Sequence, residues 1–150
     1  MDLKAKSIHI VIAEDDEEDR MLTREAMIES RVKNTVHFVE DGEYLMDYLH
    51  NKGQYEDKSK FPAPGLILLD LNMPRKDGRE ALKEIKSNEH LKRIPVVILT
   101  TSKAEEDIIR TYDLGVNSFI TKPVTFEGMI NVMKTLGTYW LDIVELPGNN

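Results

Sequence analysis

The sequence predicts an α/β fold, a doubly wound parallel sheet of five strands. Three observations predict it. Short apolar runs recur along the 150 residues, and each is followed by a stretch whose apolar residues share one helix face. Two runs, 66–69 and 96–99, lack polar alternation, which is typical of strands buried on both faces of a parallel sheet. The runs end abruptly at polar or turn residues, so strands and helices alternate within one domain.

The first two strands are predicted at 8–13 and 35–39, where apolar and β-branched residues dominate. An unbroken acidic run, 14–19, follows the first strand. A helix begins within this run, because acids in a first turn are stabilised by the helix dipole. The second strand is followed by a helix and then by a polar stretch, 51–64, which is predicted as a surface loop.

The third strand, 66–69, is followed by a loop containing Pro74 and Gly78 and then by a helix. Another helix follows the fourth strand, 96–99. The fifth and weakest strand, 116–121, precedes the last helix. Parallel strands joined by helices have right-handed crossovers, and their carboxyl ends meet at one edge of the sheet.

Composition excludes several classes of function. A net charge of −7 argues against a nucleic-acid backbone as partner. The absence of cysteine excludes disulfides, thiolate catalysis and cysteine-based zinc sites. The sequence has no apolar leader and no run of about 18 apolar residues, so we expect a cytoplasmic protein without a membrane partner. The histidines are scattered, and no glycine-rich phosphate loop is present.

Polar residues directly follow four of the predicted strands: Glu14 and Asp15, then Asp70, Thr100 and Lys122. In one parallel sheet these residues converge at the edge where open α/β sheets bind ligands. Carboxylates with a lysine and a hydroxyl suggest a hard divalent cation beside a phosphate. Mg²⁺ prefers oxygen ligands, and an ammonium is a mobile counter-charge for a phosphoryl group. An aspartate carboxylate can itself accept a phosphoryl group.

Each of these residues also has a purely structural explanation when taken alone. Asp70 could begin a turn, and Glu14 or Asp15 could cap the helix that follows. Thr100 could be an ordinary turn residue, and Lys122 a solvated charge. Their joint placement at four strand ends is difficult to explain in this way, which favours a functional site.

Four segments of the chain form a specific pattern in their order and spacing. They are Glu14-Asp15, the segment Leu68-Leu69-Asp70-Leu71-Asn72-Met73-Pro74 with Asp77-Gly78, Leu99-Thr100-Thr101, and Phe119-Ile120-Thr121-Lys122-Pro123. With these segments the sequence resembles bacterial two-component receiver domains, of the chemotaxis response-regulator type, over residues 8–136. The resemblance implies a flavodoxin-like sheet with strand order 2-1-3-4-5 and a phosphoaspartate formed with Mg²⁺.

The resemblance also implies a role for each site residue. Asp70 would be the phosphoacceptor. Asp15 and Asp70 would ligate Mg²⁺ together with the main-chain carbonyl of Asn72, and Glu14 would act through a water molecule.

Two further residues of the pattern would contact the phosphoryl group, namely Thr100 and Lys122. The resemblance also implies that the Lys122–Pro123 peptide bond is cis. Phe119 occupies the aromatic switch position, which is often tyrosine in the family. Its ring could still rotate as Thr100 shifts, but phenylalanine has no hydroxyl with which to form a hydrogen bond.

The 51–64 loop and the C-terminal segment look like those of single-domain regulators paired with phytochrome histidine kinases. We expect a receiver domain at 1–137 and an extension at 138–150, which is too short for an output domain. The extension contains a group of large apolar residues: Tyr139, Trp140, Ile143 and Val144. These residues either cover the domain's own core or form a homodimer interface, and we expect the dimer.

We therefore expect a single-domain response regulator that accepts a phosphoryl group from a sensor histidine kinase and signals through protein contacts. It would be a phosphoacceptor rather than an enzyme, although it would assist its own phosphoryl transfer and dephosphorylation. Two alternatives stay open. A haloacid-dehalogenase-type phosphatase would need a second carboxylate where Asn72 stands. A receiver-like interaction module that never turns over phosphate would have a broken acidic pocket, whereas every residue of this pocket is present.

Overall fold

Five strands alternate with five helices along residues 8–143, the part of the chain that the computed structural model describes. The strands are β1 (Ile10–Ala13), β2 (Val36–Val39), β3 (Leu66–Leu69), β4 (Val96–Thr100) and β5 (Ser118–Thr121). The helices are α1 (Glu17–Glu29), α2 (Gly42–Leu49), α3 (Gly78–Ser87), α4 (Glu105–Leu114) and α5 (Phe126–Leu136). A 3-10 turn, Gly53–Tyr55, precedes β3, and a π-helical segment, Gly137–Ile143, continues α5.

The strands form one parallel sheet in the order β2-β1-β3-β4-β5, which confirms the predicted fold class and strand order. The register aligns the carboxyl ends of neighbouring strands. Ala13 lies opposite Leu69, and Thr100 lies opposite Thr121. Polar residues that follow these positions are therefore brought to the same edge of the sheet.

Two apolar layers cover the sheet. Every residue of β1, β3 and β4 is buried, as their apolar runs predict. Side chains alternate between faces, so Leu66 and Leu68 pack with α1 and α5, whereas Ile67 and Leu69 pack with α2 and α3. Each such side chain stabilises the fold by about 1.5–3 kcal/mol. Burial on both faces thus stabilises the central strands and fixes the positions of the residues at their ends.

The edge strand β5 is only partly buried, and it begins later than predicted, at Ser118 instead of at residue 116. The reason lies in the end of α4. Gly115 terminates that helix in the left-handed conformation, with φ of 103°. Val116 then donates its main-chain N–H back to the carbonyl of Thr111, so it belongs to the helix end.

The long segment between α2 and β3 has its own aromatic packing, which its prediction as a surface loop did not include. The ring centroids of Tyr55 and Phe61 lie 5.1 Å apart, and both rings contact Tyr48 of α2. The side-chain amide of Asn51 donates to the carbonyls of Tyr55 and Phe61, at 2.9 Å in each case. These contacts give the segment a fixed shape, as in other compact surface loops.

Candidate functional site at the carboxyl edge of the sheet

The structure brings Asp70, Thr100 and Lys122 into contact. The Thr100 hydroxyl donates to Asp70 Oδ1 at 2.7 Å, and the Lys122 ammonium donates to Asp70 Oδ2 at 3.1 Å. The main-chain N–H of Asn72 also donates to Asp70 Oδ1, at 3.2 Å. Asp70 is buried, so each of its oxygens has a donor within the protein, as a buried carboxylate requires.

Three carboxylates form a group that could hold a metal ion. Glu14, Asp15 and Asp70 each contribute one oxygen, and these oxygens lie within 4.8 Å of one another. Glu14 and Asp70 are buried, whereas Asp15 is exposed. This donor set fits a hard divalent cation such as Mg²⁺, which takes oxygen ligands and keeps several of its water molecules.

The Lys122 side chain is held by three carboxylates from different elements. Its Nζ donates to Glu14, to Asp19 of α1 at 3.0 Å, and to Asp70. Burial by itself lowers the pKa of a lysine, but the hydrogen bond to Glu14 and the charge of Asp70 raise the pKa of Lys122 above its ordinary value. Burial raises the pKa of Glu14 to about 7, against the opposing effect of the same hydrogen bond. Lys122 is therefore a buried cation.

The acidic run 14–19 divides into residues with different tasks. The side chain of Asp16 caps α1 by accepting two main-chain N–H groups of the first turn, at 2.8 and 3.2 Å. Arg20 Nη1 donates to the carbonyl oxygens of Glu14 and Asp15, at 2.8 and 2.9 Å. The helix cap and Arg20 thus fix the main chain that presents the two acids.

Asp19 is a member of this cluster that sequence reasoning missed. The helix dipole accounts for acids in a first turn, so no further task was assigned to it. The sequence signal that could have identified Asp19 is its position around the helix axis. Asp19 precedes the buried residues Thr23 and Ala26 at the spacing that places all three on one face of α1. An acid on the inward face of a helix needs a partner, and here the partner is Lys122.

A second polar network joins α3 to α4 beside the site. The Arg79 guanidinium donates to both oxygens of Asp107, at 2.7 Å each, and the Ser102 hydroxyl donates to Asp107 at 2.7 Å. Arg79 also lies 3.4 Å from the side-chain oxygen of Asn72. The network therefore connects the loop after β3 and the loop after β4 to α4. No sequence pattern indicated it, because its residues come from two helices and two loops that are separate in sequence.

Replacing Asp107 with asparagine should remove a pH dependence of stability. Hydrogen bonds from Arg79 lower the pKa of Asp107 to about 2, from an ordinary 3.8. A carboxyl group with a lowered pKa stabilises the fold fully above its unfolded pKa and loses this contribution as the pH falls through the folded pKa. Between pH of about 5 and 2, the wild type should lose about 1–2 kcal/mol more than D107N in urea unfolding. The exposed Asp113→Asn variant of the same helix should follow the wild type. Equal losses in all three proteins would contradict the expectation.

Asp41 is a buried acid that joins two loops at the same edge. One of its oxygens caps α2 by accepting the N–H of Tyr44 at 2.9 Å, and the other accepts from Arg75 Nε at 2.7 Å. The main-chain N–H of Gly42 donates to the Lys76 carbonyl at 2.8 Å. A Cβ at Gly42 would lie 2.1 Å from that carbonyl oxygen, so only glycine permits this approach. The loop after β3 is thereby held against the start of α2.

The predicted switch residue, Phe119, lies on β5 and is partly buried against the core. Its main-chain N–H donates to the hydroxyl of Tyr112 on α4, at 3.2 Å. This contact joins β5 to α4 within the face that a switch would alter. The role of Phe119 itself stays a prediction.

The expected cis bond between Lys122 and Pro123 is a prediction that the structure contradicts. No peptide bond is cis between residues 8 and 143. The trans isomer of a bond before proline is lower in free energy by about 0.5–1 kcal/mol. The trans chain still places Lys122 at the site, because its main-chain N–H donates to the Thr100 carbonyl at 2.7 Å.

The predicted dimer residues occupy different environments. Trp140 is 6% exposed and packs in the apolar layer beneath α1 and α5, so it covers the domain's own core. Tyr139 is 50% exposed, and its ring meets the Trp140 ring edge-on with centroids 5.3 Å apart. The side chain of Ile143 and all of Val144 lie outside the described residues. The helical segment continues past residue 137, and the domain boundary predicted there stays a prediction.

This sheet order, with acids, a threonine and a lysine at its carboxyl edge, is the architecture of a two-component receiver. A model of the response regulator receiver domain matches residues 10–134, and the chain belongs to this family. The fold and the family that the sequence predicted are thus confirmed.

Individual relatives narrow the comparison. The response regulator Rcp1 of Synechocystis sp. is 43% identical over 138 residues, which span 92% of each chain. The crystal structure of the phosphorylated cyanobacterial phytochrome response regulator RcpA superposes with a TM-score of 0.86 at 45% identity, over 94% of this chain and 99% of that one. The Mn²⁺-bound form of Rcp1 superposes with a TM-score of 0.85 at 42% identity, over the same shares of the two chains.

These comparisons define the class of the protein. It is a response regulator, a signalling protein similar to Rcp1 and RcpA, and histidine kinases are the partners of this family. The carboxylate oxygens of its acidic group lie close enough together to hold a metal ion, and the relative Rcp1 has a Mn²⁺-bound form. Within the described part of the chain, no helix has the length and apolar character needed to cross a membrane.

Proposed function

We propose that Asp70 accepts a phosphoryl group from a phosphohistidine of a sensor kinase, in a reaction that depends on Mg²⁺. The observation that carries the proposal is that both oxygens of the Asp70 carboxylate accept hydrogen bonds from side chains. Thr100 donates to one oxygen and Lys122 to the other, beside two further acids. A purely structural aspartate does not need a cation-binding group next to it.

The metal would be held by Asp15, Asp70 and the main-chain carbonyl of Asn72, with Glu14 acting through a water molecule. Bound there, Mg²⁺ would neutralise charge on the transferring phosphoryl oxygens. Asn72 already lies beside Asp70, because its N–H donates to that carboxylate at 3.2 Å.

The transfer itself requires positioned charges more than covalent chemistry. A carboxylate oxygen of Asp70 attacks the phosphorus atom, the O–P bond forms and the P–N bond of the phosphohistidine breaks. The electron pair of that bond returns to the imidazole. The Thr100 hydroxyl and the Lys122 ammonium donate hydrogen bonds to the equatorial phosphoryl oxygens, where negative charge develops.

Phosphorylation would be transmitted through the face formed by α4, β5 and α5. The phosphoryl group adds about −1.5 to −2 charge beside Thr100 and Lys122. Thr100 would turn from Asp70 towards the phosphoryl oxygens, and the Phe119 ring would repack into the space released. Phe119 has no hydroxyl, so this switch works through packing alone.

The partner we propose is a phytochrome-type histidine kinase, because the relatives that cover nearly the whole chain include a phytochrome response regulator. We place the protein in the cytoplasm, where ATP is available to such a kinase. We also propose a homodimer. Tyr139 is the exposed aromatic residue of the C-terminal segment, whereas Trp140 is occupied in the core.

Intact mass after incubation with acetyl phosphate tests the central proposal. With Mg²⁺ the wild type should gain about 80 Da, the mass of one phosphoryl group. Asp70→Asn should gain nothing, because an amide is not a nucleophile for this transfer. Asp113→Asn, which alters an exposed aspartate of α4, should behave as the wild type. An adduct on Asp70→Asn, or none on the wild type at the shortest times, would refute the proposal.

A further inference from the structure

Asp19 differs from the two other carboxylates that contact Lys122. Its side chain is 36% exposed, whereas those of Glu14 and Asp70 are 5% and 6% exposed. Asp19 is therefore the solvent-facing member of the three. A phosphoryl donor also has to reach the buried Asp70 from solvent.

The ammonium of Lys122 has three N–H groups and three carboxylate partners. A phosphoryl oxygen that binds Lys122 must share its charge with all of them or displace one. Glu14 and Asp70 are buried, and losing the cation leaves them without water to replace it. Asp19 is reached by water, so its contact is the one released at the lowest cost.

We propose that Asp19 is a positioning residue that competes with the phosphoryl group for the Lys122 ammonium. This inference rests on the proposed role of Asp70. In the unphosphorylated protein Asp19 holds the ammonium from the solvent side. It adds a carboxylate where a second anion has to bind. The contact with Lys122 and the added negative charge both disfavour a phosphoryl group on Asp70.

The same helix turn offers a matched control. Glu18 is the neighbouring acid, it is exposed, and only its main-chain N–H takes part in the helix cap. Asp19→Asn and Glu18→Gln remove the same charge from the same turn, close to the same site. A general electrostatic effect of the removed charge would appear in both variants. An effect that depends on the contact with Lys122 would appear only in Asp19→Asn.

The first test needs no phosphoryl group. In metal-free protein the ¹⁵N resonance of a buried, ion-paired ammonium is visible because its protons exchange slowly with water. Proton exchange at Lys122 should be faster in Asp19→Asn than in the wild type and unchanged in Glu18→Gln. Equal exchange in all three proteins would show that Asp19 does not hold Lys122, and the inference would fall.

The second test measures competition with beryllofluoride, a phosphoryl mimic, in the presence of Mg²⁺. Asp19→Asn should bind the mimic about threefold more tightly than the wild type, as loss of a partly exposed ion pair predicts, and Glu18→Gln should not. In a Lys122→Met background the two substitutions should have equal effects. Unchanged or weaker binding in Asp19→Asn overturns the competition. No binding to the wild type would overturn the proposed function as well, while the ammonium measurement would still report on the contact.

Discussion

Replacing Lys122 with methionine should lower the free energy of unfolding by about 3–5 kcal/mol in metal-free buffer. Methionine fills much of the same space but leaves the buried carboxylates of Glu14 and Asp70 without their cation. The measurement is urea unfolding at a pH of about 8, above the pKa of about 7 that Glu14 has while Lys122 is present, so the substitution removes a complete ion pair from the wild type. The loss should be smaller at a pH of about 6, where Glu14 can take up a proton.

Added Mg²⁺ should restore most of the stability that Lys122→Met loses, because the cation binds the same carboxylate oxygens. The matched control is Lys103→Met in the loop after β4, which removes the same charge from an exposed position. That variant should change stability by less than about 0.5 kcal/mol. Equal losses in the two variants, or no additional gain from Mg²⁺ in Lys122→Met, would contradict the expectation.

Replacing Trp140 with alanine should destabilise the domain by about 3–5 kcal/mol. The indole is 6% exposed and belongs to the apolar layer that contains Met133 and Leu136 of α5 and Ala26 of α1. Its removal leaves a cavity that these side chains can fill only in part. The loss can be measured by chemical unfolding monitored by circular dichroism. Tryptophan fluorescence cannot serve as the signal, because the substitution removes the only tryptophan of the chain.

Tyr139→Ala separates the core from the proposed dimer. Tyr139 is half exposed, so its replacement should change the free energy of unfolding by less than about 1 kcal/mol. If Tyr139 anchors a homodimer, light scattering should show a larger share of monomer in this variant than in the wild type. A stability loss as large as that of Trp140→Ala would show that Tyr139 is a core residue and remove the main support for its role in a dimer.

The central strands were predictable from the sequence because burial on both faces requires an unbroken apolar run. β3 has the predicted bounds, and β4 extends one residue further, to Thr100. The edge strands carry a weaker signal, since only part of their surface is buried. The start of β5 was misplaced because Val116 is apolar and yet belongs to the end of α4.

The candidate site was predictable to the extent that it consists of strand ends. Asp70, Thr100 and Lys122 each follow an apolar run, and parallel pairing then brings them together. Asp19 and the Arg79–Asp107 pair were not predicted, because their positions depend on helix phase and on contacts between helices. Local sequence does not contain that information.

The acidic run at the start of α1 places unequal limits on substitution. All six residues of the run are acidic, yet the exposed residues Glu17 and Glu18 could change to many polar residues with little effect. Asp16 tolerates only a residue that can cap a helix. A one-residue insertion before Asp19 would keep every acid of the run. It would nevertheless rotate the Asp19 carboxylate by about 100° around the helix, away from Lys122. For this segment, amino-acid content is a poor measure of relatedness, and the spacing of its acids is a better one.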